Sequence, residues 1–346
     1  MIDTFKIGLG TGHLHSKPYE DALKFFSLAF ELHDQLPGKF LIDTAEVYGA
    51  GKSESMLGKI LRETNVPRAS LFIASKVSPE NLTKEKVRSS CLASLKRLGC
   101  SYLDLYQIHW ANPAIDIFET FEALEELKAE GLIRQIGVCN FTTGELRQIA
   151  TRFRVDAVQL EYNLNNTMLE ETHLHYCKEH NITIIAYSPY DRGTIKYHDN
   201  YGVLGELTNK YGKTPDQIAL AYLIQQDNVV CIPETINILH HVTNTQANFK
   251  LDAQDIAQMA DLFYTKTALL SPKILSAIEK NNSYNICPSP SELAKNIARF
   301  GLLKPVKVAA VSDGNKIIEG RARYEAYLLA YGADTGVPCM ITKEPL

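Results

Sequence analysis

The chain reads as an α/β protein: a (β/α)8 barrel with a small α+β unit appended at its C-terminus. Two observations predict the barrel. Short apolar runs alternate with longer segments of helical periodicity, the signature of parallel βαβ units, and eight such pairs fit within about 250 residues, the usual size of a closed eight-stranded barrel. A third predicts the appended unit. After about Thr265 the period changes, and the polar, Pro-containing stretch from Asn281 to Pro290 has the composition that separates folding units.

Strands are expected at Lys6–Leu9, Phe40–Asp43, Leu71–Ser75, Leu103–Ile108, Ile133–Val138, Ala157–Leu160, Ile182–Ala186 and Val229–Ile232. Each is short and apolar, as a strand buried on both faces should be. Amphipathic segments lie between them. In Asp116–Glu130, Ile117, Phe121, Leu124 and Leu127 recur at helical spacing while most acidic residues fall elsewhere. A boundary near Leu270 assigns residues 1–270 to the barrel, 271–283 to a linker and 284–346 to the second unit. That unit is expected to hold a helix at Ser291–Phe300, a strand at Val306–Val311, a turn at Asp313-Gly314, a strand near Ile317, a helix at Ala322–Tyr331 and a strand around Pro338–Thr342.

With 45% hydrophobic and 22% charged residues, the 346-residue chain has the balance of a globular protein with a sizeable core. A net charge of -4 gives no electrostatic reason to expect nucleic acid or an anionic membrane as main partner. The start Met1-Ile-Asp-Thr-Phe-Lys6 lacks the basic and apolar pattern of a secretory signal, and no stretch reaches membrane-spanning length, so a cytoplasmic location is expected. The seven cysteines are scattered and read as reduced, mostly buried thiols.

Two phosphate-binding signatures fail on inspection. Gly8-Leu-Gly-Thr-Gly-His13 has His13 at the third glycine of a dinucleotide fingerprint. Gly51-Lys-Ser53 ends like a P-loop, but Glu46 occupies its first glycine position, so Ser53 reads as a helix N-cap. The pairs His13/His15, His173/His175 and His240/His241 have no spaced carboxylate or cysteine to complete a metal site, and no metal is expected.

In a barrel of this kind the side chains just past the C-terminal strand ends converge on one mouth. Four polar residues stand there: Asp43 after Phe40-Leu-Ile, Tyr48 in the following loop, Lys76 after Phe72-Ile-Ala-Ser, and His109 after Asp104-Leu-Tyr-Gln-Ile. The segments Ile42-Asp-Thr-Ala-Glu-Val-Tyr-Gly49, Ser75-Lys76 and Gln107-Ile-His109 resemble the Asp, Tyr, Lys and His motifs of the aldo-keto reductase superfamily, and the resemblance runs from about Phe5 to Leu262. It implies a TIM barrel and an NAD(P)H-dependent oxidoreductase that interconverts a small-molecule aldehyde or ketone and its alcohol. In that reading Tyr48 donates the proton, and Lys76 favours the phenolate and lowers the phenol from its ordinary pKa of about 10. Asp43 holds Lys76, and His109 orients the carbonyl oxygen.

The same resemblance implies a cofactor trough. Cys139 and Asn140, within Gly137-Val-Cys-Asn-Phe141, match the segment that binds the nicotinamide carboxamide; Gln159 follows at the next strand end; Tyr187 and Ser188, within Ala186-Tyr-Ser-Pro189, match the ring that stacks on nicotinamide. Cys139 stands where the family has serine and is a poorer donor. The adenosine end is expected at Glu234, Thr235, His240 and Asn244, with Glu234 and His240 in place of a lysine and an arginine. A carboxylate repels a 2′-phosphate and accepts hydrogen bonds from free ribose hydroxyls, so NADH is expected over NADPH. Trp110 and the loop Pro189–Arg192 are placed over the substrate.

At the C-terminus, Ser291–Val308 and Ile318–Ala326 resemble a ParB/sulfiredoxin-like domain. Gly320 and Arg323 match its phosphate-binding turn, although Ala322 stands where the first of two adjacent arginines would be. The resemblance implies a nucleotide or protein partner for this unit. It also allows an alternative function, a cofactor-sensing protein that signals through its C-terminal unit.

Overall fold

In the computed structural model, residues 1–193, 201–263, 267–270, 275–277, 294, 306–311, 314–319, 321–332 and 337–342 are described. Eight parallel strands form one sheet in strict chain order: β1 (Leu9–Gly10), β2 (Phe40–Asp43), β3 (Leu71–Val77), β4 (Leu103–Ile108), β5 (Ile133–Cys139), β6 (Ala157–Glu161), β7 (Thr183–Tyr187) and β8 (Val229–Cys231). Parallel bridges from Ile7 to Cys231 and from Gly10 to Glu234 close the sheet into a barrel. Backbone bonds from Gly8 N–H to Cys231 O at 2.8 Å and from Cys231 N–H to Lys6 O at 2.9 Å seal the seam. The first strand therefore differs from the expected Lys6–Leu9. Its ladder to β2 spans only Leu9 and Gly10, while Lys6 and Gly8 bond to Cys231 on the β8 side.

Helices follow each strand, beginning with α1 (Tyr19–His33), α2 (Lys52–Thr64), α3 (Lys84–Leu98) and α4 (Ile117–Ala129). The expected amphipathic segment is α4, capped by Asp116, whose carboxylate accepts from Phe118 N–H; Phe121, Leu124 and Leu127 are fully buried. Ser53 is not the cap of α2. Gly51 holds that position with φ of 85°, and the Ser53 hydroxyl is engaged by His15 N–H at 3.2 Å. The reason is conformational: the left-handed backbone at Gly51 is one that L side chains rarely adopt, so glycine suits the entry to the helix, and the Arg97 side chain lies over the same position.

Alternation along the strands sorts residues into two cores. Outward-facing residues such as Ile42, Ile73, Tyr106, Val158 and Ile184 pack under the helices. Inward-facing Leu41, Phe72, Ala74, Leu105, Ala157, Ile185, Val230 and Ile232 fill the barrel, joined by Ile2. The same inward parity continues upward through Asp43, Lys76, Gln107, Cys139, Gln159 and Tyr187. The apolar filling thus gives way to polar groups at the C-terminal strand ends.

A second, five-stranded sheet follows, built from Thr267–Leu270, Leu275–Ala277, Val306–Val311, Gly314–Glu319 and Val337–Thr342. The helix Arg321–Tyr331 places Tyr324, Tyr327 and Leu328 against buried Val337 and Cys339. Thr267–Leu270 pairs with Val337–Thr342, and Leu275–Ala277 pairs with Gly314–Glu319. Both short strands fall on stretches that composition assigns to the barrel end and the linker, because their partners lie far along the chain and leave no local signal. The expected helix at Ser291–Phe300, except for buried, helical Ala294, lies outside the described residues, as do Asp313, Gly320 and Cys287. No helix among the described residues is long and apolar enough to cross a membrane.

Candidate active site

Lys76 enters the barrel from β3 and is completely buried. Its ammonium donates to Asp43 Oδ2 at 2.6 Å, to the Thr44 carbonyl at 2.8 Å and to Tyr48 Oη at 3.2 Å. Those three contacts use its three N–H groups. Asp43, on the adjacent strand β2, is equally enclosed, and its other oxygen accepts from Gln159 Nε2–H at 2.9 Å, with Gln107 Nε2 further off at 3.4 Å. Cys139 lies beside both glutamines, Sγ at 3.5 Å from Gln159 Oε1 and 3.6 Å from Gln107 Oε1. Gly137 makes room for this layer, since a Cβ there would meet Gln107 Cγ at 2.9 Å.

These contacts set the protonation states. Burial is the largest influence on Lys76 and lowers it, but the Asp43 carboxylate, aided by Tyr48 and Cys139, outweighs burial and holds the ammonium above its ordinary value. Burial also dominates at Tyr48 and pushes the phenol up to about 12, against the downward pull of Lys76. The expectation that Lys76 brings the phenol below its ordinary value is thus corrected: Lys76 acts in that direction, and desolvation is stronger. His109, buried beside the same ammonium, falls to about 2 and is neutral. Its Nδ1 is buried without a hydrogen-bond partner among the described residues. Burial holds the Cys139 thiol well above its usual range.

The four residues meet at one point. The Tyr48 and His109 rings stand edge to face with centroids 5.9 Å apart, and Trp110, 40% exposed, stacks on His109 at 3.8 Å. Across the mouth, Tyr187 Oη–H donates to Asn140 Oδ1 at 2.9 Å. Asn140 and Ser188, each just past its strand, hold left-handed backbones with φ of 60° and 50°. Non-glycine residues in that region are costly and gather at ligand clamps. A half-buried ring fixed beside an amide side chain fits a flat aromatic carboxamide such as nicotinamide. Gln159 lies deeper, with an amide N–H committed to Asp43.

The adenosine-end residues are less uniformly placed. Glu234 accepts from His13 N–H at 2.6 Å and pairs with His13 Nδ1 at 2.9 Å, bridging the loops after β8 and β1. Thr235 Oγ1 accepts from Asn237 N–H at 3.0 Å. His240 is exposed, whereas Asn244 is buried and accepts from Tyr190 Oη–H at 2.7 Å. Glu234 and Thr235 line a cleft of about 430 Å³ with Gly10, Thr11, Lys17 and Phe26. Other histidines among the described residues are engaged separately: His15 by Ser53, His173 by Phe141 O, His175 by Glu179, His180 by Tyr176 O, and His241 by His33 at 3.0 Å. No cluster of three or more metal-ligating groups occurs among the described residues.

Four contributors lie outside the candidate site residues read from the sequence: His13 on Glu234, Gln107 near Asp43, and Glu46 and Glu54 around the Tyr48 loop. Glu46 and Gln107 stand inside the motif segments quoted from the sequence, and Gln107 also has inward parity two residues before His109.

Removing one member of the buried pair leaves the other charge uncompensated. Asp43→Ala is expected to lower the unfolding free energy by about 3–5 kcal/mol. The double variant Asp43→Ala/Lys76→Met should cost less than the sum of its single changes. Urea denaturation measures both, and strict additivity would show the pair to be uncoupled.

The sequence model of the aldo/keto reductase family matches residues 6–263. An aldo-keto reductase of Mycobacterium ulcerans is 34% identical over 254 residues, covering 72% of this chain and 83% of that protein. A methylglyoxal reductase of Escherichia coli strain K12 is 34% identical over 224 residues, covering 64% and 78%. Among solved structures, an aldo/keto reductase of Klebsiella pneumoniae in complex with NADP and acetate superposes with a TM-score of 0.67 at 31% identity, covering 75% of this chain and 91% of that one. By fold, by the residues at its barrel mouth and by these matches, the chain belongs to the aldo/keto reductase family.

Proposed function

We propose that Asp43, Tyr48, Lys76 and His109 are the catalytic set of a cytoplasmic reductase that interconverts an aldehyde or ketone and its alcohol, with Tyr48 as proton donor. The observation that carries this reading is the contact of Tyr48 Oη, at 3.2 Å, with an ammonium that is wholly buried and paired to Asp43. A phenol titrating near 12 is protonated at neutral pH, as a donor must be. As the carbonyl is reduced, negative charge grows on its oxygen, the Tyr48 hydroxyl passes its proton there, and the phenolate left behind faces Lys76. Neutral His109 can donate an N–H to the same oxygen without bringing a second charge beside Lys76. Trp110 offers the substrate an apolar wall.

When bound, the nicotinamide cofactor supplies the hydride. Asn140, Tyr187 and Ser188, backed by Cys139 and Gln159, would hold its nicotinamide end; Glu234, Thr235, His240 and Asn244 would define its adenosine end. Replacing Tyr48 with Phe should lower kcat by about 10²–10⁴-fold while cofactor binding persists. Wild-type reduction should stay level from about pH 6 to about pH 9, because Tyr48 loses its proton only towards 12 and His109 gains one only towards 2. An assay of methylglyoxal and a panel of other carbonyls tests both. Full activity in Tyr48→Phe would remove Tyr48 from the role.

The cofactor preference we propose is for NADH. Glu234 is a carboxylate that His13 holds at the cleft, and a 2′-phosphate would face it. Fluorescence titration should find NADH bound more tightly than NADPH. Lys17 lines the same cleft, so the opposite ranking, with NADPH affinity falling in Lys17→Met, would assign that cation to the 2′-phosphate and overturn the preference.

For residues 284–346 the proposed reading is a ParB/sulfiredoxin-like unit, with Gly320 and Arg323 directed to a nucleotide or protein partner. It rests on sequence resemblance, supported by the order strand, strand, helix, strand from Val306 to Thr342. Calorimetry of the full chain with ATP should give binding heat that Arg323→Ala removes. No heat with wild type would sink the nucleotide form of the idea.

A further inference from the structure

Tyr48 is carried by a loop rather than by a strand. The backbone from Glu46 to Gly51 is a run of turns, with Tyr48 N–H on Ala45 O at 3.1 Å and Ala50 N–H on Val47 O at 3.2 Å. Gly49, Ala50 and Gly51 are left-handed in succession, with φ of 59°, 54° and 85°. Such a loop does not by itself hold a hydroxyl to a fraction of an ångström, yet a displacement of that size at a reacting group costs large factors in rate. Something outside the loop must set the 3.2 Å contact between Tyr48 and Lys76.

Two carboxylates do so from either side of Tyr48. Glu46, two residues before it, accepts from Ser78 N–H at 2.7 Å and from Asn81 Nδ2–H at 3.0 Å. Ser78 lies two residues after Lys76. Glu54, fully buried in the first turn of α2, accepts from Ser75 Oγ–H at 2.6 Å. Ser75 is the residue before Lys76. Glu54 is itself held by Arg97 Nε–H from α3 at 2.7 Å, and the Arg97 side chain crosses the space that a Cβ on Gly51 would fill. One carboxylate thus precedes and one follows Tyr48, and their partners follow and precede Lys76.

We propose that Glu46 and Glu54 are positioning residues, a paired brace that ties the Tyr48 loop to β3 on both sides of Lys76 and thereby sets the distance between proton donor and ammonium. Neither carboxylate contacts the four catalytic residues through its side chain in any bond described above. Both act through the backbone they hold. The proposal rests on Tyr48 being the proton donor, and the variants are chosen to separate the two ideas.

The experiment uses the full chain with the reduced nicotinamide cofactor that binds wild type more tightly, and with whichever carbonyl wild type turns over fastest. Cofactor titration by fluorescence counts folded sites, so kcat is expressed per binding site. Glu46→Ala and Ser75→Ala, which leave the buried Glu54–Arg97 pair intact, should each lower kcat on the order of tenfold, and together on the order of a hundredfold. Cofactor affinity and carbonyl KM should stay near wild type. The solvent deuterium isotope effect on kcat should rise as proton transfer becomes slower. Glu46→Gln, which keeps an acceptor oxygen for Ser78 and Asn81, should restore most of the rate. A double variant within about twofold of wild type per binding site overturns the brace, and so does a Glu46→Gln as impaired as Glu46→Ala. Tyr48→Phe in the same series distinguishes the premise: if it keeps wild-type kcat, the donor assignment fails whatever the brace variants do.

Discussion

The buried pair of Lys76 and Asp43 is the constraint around which the mouth of the barrel is arranged. Taking an ammonium and a carboxylate out of water is costly, and their attraction offsets that only when the remaining hydrogen-bonding capacity is used. Here it is used: the Thr44 carbonyl and Tyr48 hydroxyl complete the lysine, and Gln159 holds the second oxygen of Asp43. Two of these neighbours, Tyr48 and Gln159, also have a place in the proposed chemistry. Stability and function are therefore difficult to separate at these positions.

The low dielectric that makes the pair costly also shapes the groups around it. Burial raises Tyr48 and Cys139 and lowers His109, so all three stay neutral beside a fixed positive charge. The site is a single cation–anion pair surrounded by neutral donors. Charge created on a substrate oxygen would meet an environment already oriented toward it, without a solvent shell to rearrange.

Barrel geometry delivers these side chains together. Neighbouring parallel strands carry Asp43, Lys76, Gln107, Cys139 and Gln159 on the same inward parity, in registers that place Lys76 opposite Gln107 and Cys139 opposite Gln159. Tyr48 is the exception, supplied by a loop and held by side chains from elements on either side of it. The second sheet stands apart from this logic, being mixed in direction and drawing its edge strands from distant parts of the chain.

The positions of the seven later strands, the α4 periodicity and the four motif residues were legible in the sequence because each depends on local pattern. An apolar run has to be buried, a 3.6-residue repeat has one face, and a polar residue ending an apolar strand points to a mouth. The second unit was partly legible for the same reason: Val306–Val311 coincides with its expected span. Pairing between distant segments decided the rest. No local pattern places Thr267–Leu270 beside Val337–Thr342, brings His13 onto Glu234, or sets Glu46 and Glu54 against residues flanking Lys76. The sign of the Tyr48 shift also needed the folded molecule. Sequence identifies the ammonium beside the phenol, but only tertiary packing determines how much water is excluded from them, and at Tyr48 that exclusion outweighs the pull of the neighbouring charge.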